Sequence, residues 1–253
     1  MATFSQIFID RGYALQSFLQ AGRLRARATA GAPAIVDCGA NVGCSVVWFA
    51  TEFPGAQIVA VEPEAGNFTL LRHNVRDLPN VRCVQAAIWS SSRDVAVVAG
   101  HAGQGWAFRT AQLDGADSPV SIVPGVTLPA LIEQVHAPGP LIVKIDVEGA
   151  EDEIFKANTD WLRRIDLLII ELHDWMLPWR GTSRNLFQAT AALPFDYCIR
   201  GENLFCFLDR AAAAHFDAVE SVGRVPVAGQ LSAGSSEGSY VCGGVSVTPT
   251  SSG

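Results

Sequence analysis

The fold is decided by the stretch Ile35-Val36-Asp37-Cys38-Gly39-Ala40-Asn41-Val42-Gly43. It reads as an apolar strand that ends in an acid and a glycine-rich turn, and the apolar segment 46–50 after it can continue as a helix. Because glycine has no Cβ, such a turn lets backbone N–H groups approach a ligand closely. The stretch therefore predicts a nucleoside-type cofactor site at the start of an α/β domain.

The next strand, predicted over Gln57–Glu62, ends in an acid about twenty residues beyond the turn, where a carboxylate suits a pair of ribose hydroxyls. The turn itself reads D-x-G-A-N-x-G instead of the dinucleotide pattern G-x-G-x-x-G. Asp37 would repel a pyrophosphate, whereas it would attract the ammonium group of S-adenosylmethionine, which carries no phosphate. The alternative is that Asp37 only caps the turn.

Strands and helices alternate along most of the chain. Strands are predicted over Ile35–Asp37, Gln57–Glu62, Val81–Ala86, Leu141–Asp146 and Asp166–Leu172, and helices over Cys44–Thr51, Glu64–Val75, Thr127–Val135 and Ala150–Asn158. This alternation predicts an α/β fold with a mostly parallel, doubly wound sheet. Two further β-prone runs, Phe195–Arg200 and Leu204–Leu208, predict an antiparallel hairpin at the end of the sheet.

The sequence also predicts how the chain is divided. Residues 1–30 form an N-terminal helical extension, with one helix over 2–27 that Gly12 and Gly22 weaken or divide. The main domain covers 31–210, and 90–126 is a β-hairpin or flap inserted into it. Residues 211–253 are rich in Ala, Gly and Ser and are expected to be a flexible tail.

A second unusual stretch is Leu141-Ile142-Val143-Lys144-Ile145-Asp146-Val147-Glu148-Gly149-Ala150-Glu151. A central strand of a parallel sheet is normally apolar throughout, and buried charges are costly unless they are paired or functional. Ligands of doubly wound sheets lie beyond the carboxyl ends of the strands. We therefore expect Asp37, Glu62 and Asp146 to meet in one crevice, and the next strand to bring Glu171 and His173 to the same edge.

With these motifs the chain resembles the FkbM-type methyltransferases. The resemblance rests on VDCGANVG, VEPE, KIDVEGAE and IIELH, and it extends from about Pro33 to Asp209. It implies the Rossmann-like class I methyltransferase fold. It also implies methyl transfer from S-adenosylmethionine, mostly to hydroxyl oxygens of natural products, sugars and glycans.

The resemblance assigns a role to each candidate cofactor residue. Asp37 is expected near the ammonium group, Glu62 at the ribose hydroxyls and Ala87 at the adenine. The residues expected beneath the methionine part are those of the turn: Gly39, Ala40, Asn41 and Gly43.

Asp146 and His173 are the candidates for chemistry, because either could remove the proton of an acceptor hydroxyl. The alternative for His173 is a structural hydrogen bond at a strand end. Lys144 is expected to pair with a carboxylate, for which Glu171 is suggested. Asp146, Glu171 and His173 would also offer ligands for a divalent metal. However, no H-x-x-x-H or cysteine-rich spacing demands one, so no metal is predicted.

Composition excludes several other classes. The net charge is −7 without a basic block, so nucleic acid is not expected as a partner. Six scattered cysteines and no apparent signal sequence predict reduced thiols in a cytoplasmic protein, and no stretch is long and apolar enough to span a bilayer.

Trp106, Trp175 and Trp179 could line an acceptor site or pack under loops. Two alternatives stay open, a nicotinamide-dependent oxidoreductase and a binding protein without catalysis, and neither the acceptor nor the oligomeric state can be derived.

Overall fold

The computed structural model of the protein describes residues 2–99, 108–115, 119–136, 138–148, 150–176 and 178–214. Its eleven strands are β1 (Ala34–Cys38), β2 (Gln57–Val61), β3 (Val81–Val84), β4 (Ala87–Ile88), β5 (Asp94–Ala99), β6 (Phe108–Gln112), β7 (Ser121–Val126), β8 (Leu141–Ile145), β9 (Leu167–Glu171), β10 (Phe195–Arg200) and β11 (Asn203–Leu208). They form a seven-stranded sheet in the order β10-β11-β9-β8-β1-β2-β3 and a four-stranded sheet in the order β4-β7-β5-β6.

The helices connect these strands. They are α1 (Ala2–Phe4), α2 (Ala21–Ala30), α3 (Cys44–Glu52), α4 (Ala65–Asn74), α5 (Leu128–Ile132), α6 (Glu151–Ile154) and α7 (Arg184–Ala191). A π-helical turn over Ser5–Ile9 continues α1, and 3-10 turns cover Leu113–Gly115 and Thr159–Arg163. No helix in these described ranges is long and apolar enough to cross a bilayer.

The large sheet has the predicted doubly wound topology. Strand β1 pairs in parallel with β2 on one side and with β8 on the other, and β9 follows β8 in parallel. Strands β10 and β11 form the predicted antiparallel hairpin, which joins the sheet through β11 and β9. The direction of chain progression reverses between β1 and β8, and ligands of such sheets bind at this switch point.

Both faces of the large sheet are covered by apolar side chains. Ile35 of β1 and Ile142 of β8 pack on one face with Phe49 of α3, while Val36 and Val143 pack on the opposite face. A strand that is buried on both faces needs apolar residues at every position, which explains the continuous apolar runs of the sequence. The exceptions in the centre are charged, and they belong to the site described below.

The predicted N-terminal helix over 2–27 is divided near Gly12, one of the two glycines expected to weaken or divide it, but not at Gly22. The chain forms α1 with its π-helical turn, which is followed by a non-helical segment. Helix α2 comes next, contains Gly22 and continues to Ala30. The break lies over 10–20, where Arg11 has a positive φ of 55° and Tyr13 and Leu15 are buried against the sheet. Burial of these side chains outweighs the helical pattern, because propensity is only a weak prior.

Three other elements end two or more residues before the predicted position. Helix α6 ends at Ile154 instead of 158, and Asn158 has a left-handed backbone that starts the following 3-10 turn. Helix α5 is shorter than predicted but begins at the expected cap, since Thr127 Oγ1 accepts a hydrogen bond from the Ala130 N–H. The predicted strand over 81–86 ends at Val84, and the chain then enters the second sheet.

The second sheet is built from β4 and the part of 90–126 that the structure describes. Strands β5 and β6 form an antiparallel hairpin, β7 pairs with the other edge of β5, and β4 joins β7 in parallel. Its small core contains Trp89, Val97 and Val123. Trp106, Gly149 and residues 215–253 of the predicted tail lie outside the described residues, while 210–214 are helical.

Candidate active site

The turn after β1 has the backbone conformation that its glycines allow. Gly39, Asn41 and Gly43 have positive φ values of 78°, 49° and 93°. A Cβ at Gly39 would lie 1.7 Å from the carbonyl oxygen of Asp146, so no other residue fits there without moving the end of β8. Gly43 in turn precedes the first residue of α3. The turn thus connects β1 tightly to the neighbouring strand end.

Glu62 follows β2 and is buried. Its Oε2 accepts a hydrogen bond from the Asn41 N–H at 2.9 Å, and its Oε1 accepts one from the Glu64 N–H at 3.0 Å. Burial raises the pKa of Glu62, and the backbone hydrogen bonds act against that rise. Glu62 does not cap α4, because Glu64 is the cap and accepts a hydrogen bond from the Asn67 N–H at 2.6 Å.

The glycine turn and Glu62 open into one cleft. It encloses about 560 Å³ of empty space, part of it continuous with solvent, and it is lined by Gly39, Asn41, Val61, Glu62, Pro63, Asn67, Ala86, Ala87, Ile88, Phe108, Thr110, Asp146, Val147 and Glu148. We call it the first cleft. It brings together four of the predicted cofactor residues and one of the two predicted catalytic residues. Phe108 and Thr110 come from β6 and had not been predicted.

Asp37 lies deeper than predicted. It is fully buried, its Oδ2 accepts a hydrogen bond from Ser45 Oγ at 2.6 Å, and Lys144 Nζ lies 3.2 Å from its Oδ1. Lys144 also donates to the Gly39 carbonyl at 2.7 Å and lies 3.5 Å from Asp146 Oδ2. The suggested pairing of Lys144 with Glu171 is therefore corrected to Asp37 and Asp146, and contact of Asp37 with an ammonium group stays a prediction.

Lys144 is a permanent cation in this arrangement. Burial by itself would lower its pKa, but Asp37 is the strongest of the charges that raise it well above its ordinary value. The two residues are register partners on β1 and β8, so the pair holds the central strands together at the point where the turn begins.

His173 is buried at the centre of a group of acids that we call the acid–histidine cluster. Its Nδ1 lies 2.5 Å from Glu151 Oε1. Its Nε2 points to the other side, 3.6 Å from Glu171 Oε1 and 3.8 Å from both Asp146 Oδ1 and Glu148 Oε2. The cluster thus comprises His173 with Asp146, Glu148, Glu151 and Glu171.

Two pKa values in the cluster are strongly shifted. Burial lowers the pKa of His173, but the hydrogen bond and charge of Glu151 outweigh it and raise the pKa to about 9. Burial, and after it the charge of Asp146, raises the pKa of Glu171 to about 7. Glu148 has a positive φ of 56°, a conformation that is strained for a residue with a side chain, and burial raises its pKa as well.

Glu151 was missed as a site residue. In sequence it is one of three consecutive acids in the first turn of α6, where negative charge is favourable in any helix. Nothing in its spacing distinguishes it from Asp152 and Glu153. Only the packing of α6 against the end of β9 shows that Glu151 is fully buried and holds His173.

A second cleft lies on the other side of the glycine turn. It encloses about 690 Å³ of empty space and is lined by Thr3, Gln6, Ile7, Tyr13, Gly39, Ala40, Asn41, Cys44, Ser45, Lys144, Asp146, Glu148 and Glu171. Gly39, Asn41, Asp146 and Glu148 line both clefts. Burial raises the pKa of Tyr13, which therefore stays an uncharged phenol. The N-terminal segment thus forms one wall of this cleft, a role that sequence reasoning did not assign to it.

Two of the three tryptophans that could have lined an acceptor site, Trp175 and Trp179, lie in the described part of the chain, and neither is buried. Trp175 is 62% exposed beside His173, with ring centroids 6.4 Å apart, and Trp179 is fully exposed. Packing under loops is therefore excluded for these two residues.

The family model described as "Methyltransferase FkbM domain" matches residues 37–191. The chain belongs to the FkbM methyltransferase family. The motif resemblance is thereby confirmed, and the sheet order with its terminal antiparallel hairpin is that of the Rossmann-like class I methyltransferase fold.

The chain is also similar to individual proteins, each at low sequence identity. Hexuronic acid methyltransferase AglP of Haloferax volcanii is 27% identical over 138 residues, which make up 54% of this chain and 54% of AglP. The chain thus matches about half the length of that relative. A putative O-methyltransferase from Klebsiella pneumoniae superposes with a TM-score of 0.45 and 14% identity, covering 82% of this chain and 90% of that one. Fibrillarin of Aeropyrum pernix, solved with S-adenosyl-L-methionine, superposes with a TM-score of 0.38 and 10% sequence identity. The match covers 70% of this chain and 66% of the fibrillarin chain.

The FkbM match includes the turn, Glu62 and the whole acid–histidine cluster. It begins at Asp37 and ends at the last residue of α7, so the hairpin of β10 and β11 and the N-terminal segment lie outside it. Thr3, Gln6 and Tyr13 of the second cleft therefore belong to the part of the chain that the family model does not match.

Proposed function

We propose that this protein transfers a methyl group from S-adenosylmethionine to a hydroxyl oxygen of a sugar, a glycan or a small natural product. The charge of the first cleft carries the proposal. Glu62, Asp146 and Glu148 line it, and none of its described lining residues is lysine or arginine. A pyrophosphate would meet three acids and no lysine or arginine in this lining, whereas a sulfonium and an ammonium would be attracted. This favours S-adenosylmethionine over a nicotinamide dinucleotide.

The residues of the first cleft fit the cofactor. Gly39 lets the turn lie directly against the Asp146 carbonyl at the end of β8, and Gly39 also lines the cleft. The carboxylate of Glu62 is held in place by two backbone N–H groups and would accept hydrogen bonds from the ribose hydroxyls. Ala87 and Ile88 provide an apolar wall for the adenine. Ala40 lines only the second cleft, on the side expected for the methionine part.

When bound, the cofactor supplies a methyl group on a positively charged sulfur, which is already a good leaving group. The protein then has to align the acceptor and remove its proton. Asp146 is suited to both tasks because it lines both clefts and its side chain is 27% exposed. Lys144 and His173 approach its two oxygens from the buried side and orient the carboxylate. His173 would act through Asp146, because its own side chain is only 2% exposed.

The second cleft is the proposed acceptor site. Asp146 lines it, and Thr3, Gln6 and Tyr13 add neutral polar groups to its wall. Such groups suit a hydroxylated acceptor. The name of AglP, a hexuronic acid methyltransferase, supports a sugar as the first acceptor to test, and a neutral sugar belongs beside the sugar acid because Asp146, Glu148 and Glu171 also line the cleft.

Calorimetric titration tests the cofactor. Wild type should bind S-adenosylmethionine and its demethylated product but not NAD. Glu62→Gln should bind roughly 10–100-fold more weakly, since hydrogen bonds to a charged group contribute about 1.5–3 kcal/mol. Glu64→Gln is the matched control, because Glu64 caps α4 next to the cleft without lining it. Tight binding of NAD, or equal losses in the two variants, would contradict the proposal.

Turnover is tested separately with Asp146→Asn. Release of demethylated cofactor in the presence of uronic acids, neutral sugars and hydroxylated natural products should identify an acceptor for wild type. Asp146→Asn should lose this turnover and retain most of its cofactor binding. A variant that stays fully active would remove Asp146 from the chemistry. Cofactor binding without turnover on any acceptor would favour a non-catalytic binding protein.

A further inference from the structure

We propose that Asp146, Glu171 and His173 bind a divalent cation of the Mn²⁺ or Mg²⁺ type at the boundary of the two clefts. The proposal deepens the proposed methyl transfer and rests on it for the catalytic use of the ion, but not for the existence of the site. No metal is predicted from the sequence, because the three ligand residues come from the ends of two different strands. Their spacing along the chain therefore follows no metal motif.

The geometry is that of an incomplete coordination shell. One ligand atom from each of Asp146, Glu171 and His173 lies within 4.8 Å of the other two. His173 Nε2 is 3.6 Å from Glu171 Oε1 and 3.8 Å from Asp146 Oδ1. Two ligands about 2.1 Å from a shared ion are about 3.0 Å apart at right angles and about 4.2 Å apart when opposite. The observed Nε2–oxygen distances fall inside that range.

The orientation of His173 provides a second, independent observation. Its Nδ1 is held by the buried carboxylate of Glu151 at 2.5 Å, which directs Nε2 towards Asp146 and Glu171. A histidine that ligates a metal almost always donates its other ring N–H to a carboxylate or carbonyl. The arrangement of Glu151, His173 and the two acids beyond it matches this pattern, in which the acid behind the ring sets its tautomer and direction.

The charge balance also calls for a cation. The cluster together with Asp37 and Lys144 contains five carboxylates and one lysine, a surplus of four negative charges when these groups are ionised and His173 is the neutral ring that a metal ligand must be. Lys144 is already matched by its closest acid, Asp37. Concentrating charges of one sign in a buried place is costly unless a cation offsets them. A divalent ion would offset half of the surplus.

The ligand set indicates which ion and what it would do. Two carboxylates suit Mg²⁺ and Mn²⁺, and the imidazole makes Mn²⁺ the better probe. Asp146 and Glu171 line the second cleft, so the remaining coordination positions can face an acceptor there. An ion at this place would polarise the acceptor hydroxyl and lower its pKa, which an ordinary carboxylate does poorly.

Direct titration of the metal-free protein with Mn²⁺, followed by the electron paramagnetic resonance signal of the free ion, tests the site without using activity. Wild type should take up one Mn²⁺ per chain, and Mg²⁺ should compete for it. Glu171→Gln should weaken binding at least tenfold, and Glu151→Gln about 10–100-fold through the ring of His173. Asp152→Asn is the matched control from the same turn of α6, and its binding should be unchanged.

Circular dichroism first establishes that each variant is folded, and the Glu151 and Glu171 variants serve as independent tests if one of them is not. Failure of wild type to bind Mn²⁺ at millimolar concentration would overturn the site. Mn²⁺ binding that is weakened equally by Glu171→Gln, Glu151→Gln and Asp152→Asn would also overturn the site, because the ion would then lie elsewhere. S-adenosylmethionine titration of the same samples separates the two proposals. Cofactor binding without Mn²⁺ binding overturns only the metal site, and the reverse result overturns only the proposed cofactor.

Discussion

Replacing Lys144 by methionine should destabilise the protein strongly, because it leaves a buried carboxylate without its cation. Lys144 and Asp37 are 2% and 0% exposed, and their charged atoms lie 3.2 Å apart between neighbouring central strands. After the substitution, Ser45 Oγ would be the remaining hydrogen-bond donor to the Asp37 carboxylate. Breaking a buried pair by removing one partner typically costs about 3–5 kcal/mol. We expect the free energy of unfolding of Lys144→Met to fall by that amount.

Urea unfolding followed by circular dichroism measures this loss. At about 2–4 °C per kcal/mol for a domain of this size, the melting temperature should fall by roughly 6–20 °C. Lys156→Met is the matched control, because Lys156 lies 3.3 Å from Glu153 but is 60% exposed. An exposed pair of this kind contributes at most about 1 kcal/mol. The two variants thus compare pairs of similar length that differ in burial.

A double variant tests the reason for the loss. Asp37→Asn in the Lys144→Met background removes the uncompensated charge, so the double variant should be more stable than Lys144→Met alone. The reasoning would be refuted if Lys144→Met lost no more than Lys156→Met. It would also be refuted if the losses of the two single substitutions were simply additive.

Three further predictions concern the backbone, the thiols and a helix cap. Gly39→Ala should abolish cofactor binding in calorimetry and lower the melting temperature, because its Cβ would overlap a backbone carbonyl oxygen. Gly55→Ala is the control, because Gly55 has a similar φ and no atom within 4 Å of an added Cβ. It should cost only about 1–2 kcal/mol of backbone strain and retain cofactor binding. Burial raises the pKa of Cys206 to about 12, so Ellman's reagent at pH 8 should modify the partly exposed Cys198 well before Cys206, and equal rates would contradict the packing. Thr127→Ala should reduce the free energy of unfolding by about 1 kcal/mol in urea, and no change would mean that the cap of α5 is not formed in solution.

The strands and the turn could be predicted because each depends on residues that are close in sequence. Apolar runs such as 141–145 indicate strands buried on both faces, and Gly39 and Gly43 indicate a turn with positive φ. Glu62 was predicted at the first cleft because a fixed number of residues separates it from the turn. The extent of the N-terminal helix was predicted wrongly because its apolar residues recur at nearly helical spacing. Only packing against the sheet shows that Tyr13 and Leu15 are buried in a segment that is not helical.

The sequence by itself determined the class of fold, the FkbM family and the strand ends at which the acids meet, because periodicity and local motifs act over a few residues. The tertiary structure decided which charges pair. It pairs Lys144 with Asp37 and brings Glu151 into contact with His173. It also forms one wall of the second cleft from the N-terminal segment. These contacts join residues that are distant in the chain, and their energies depend on burial, which arises only when the sheet and helices pack.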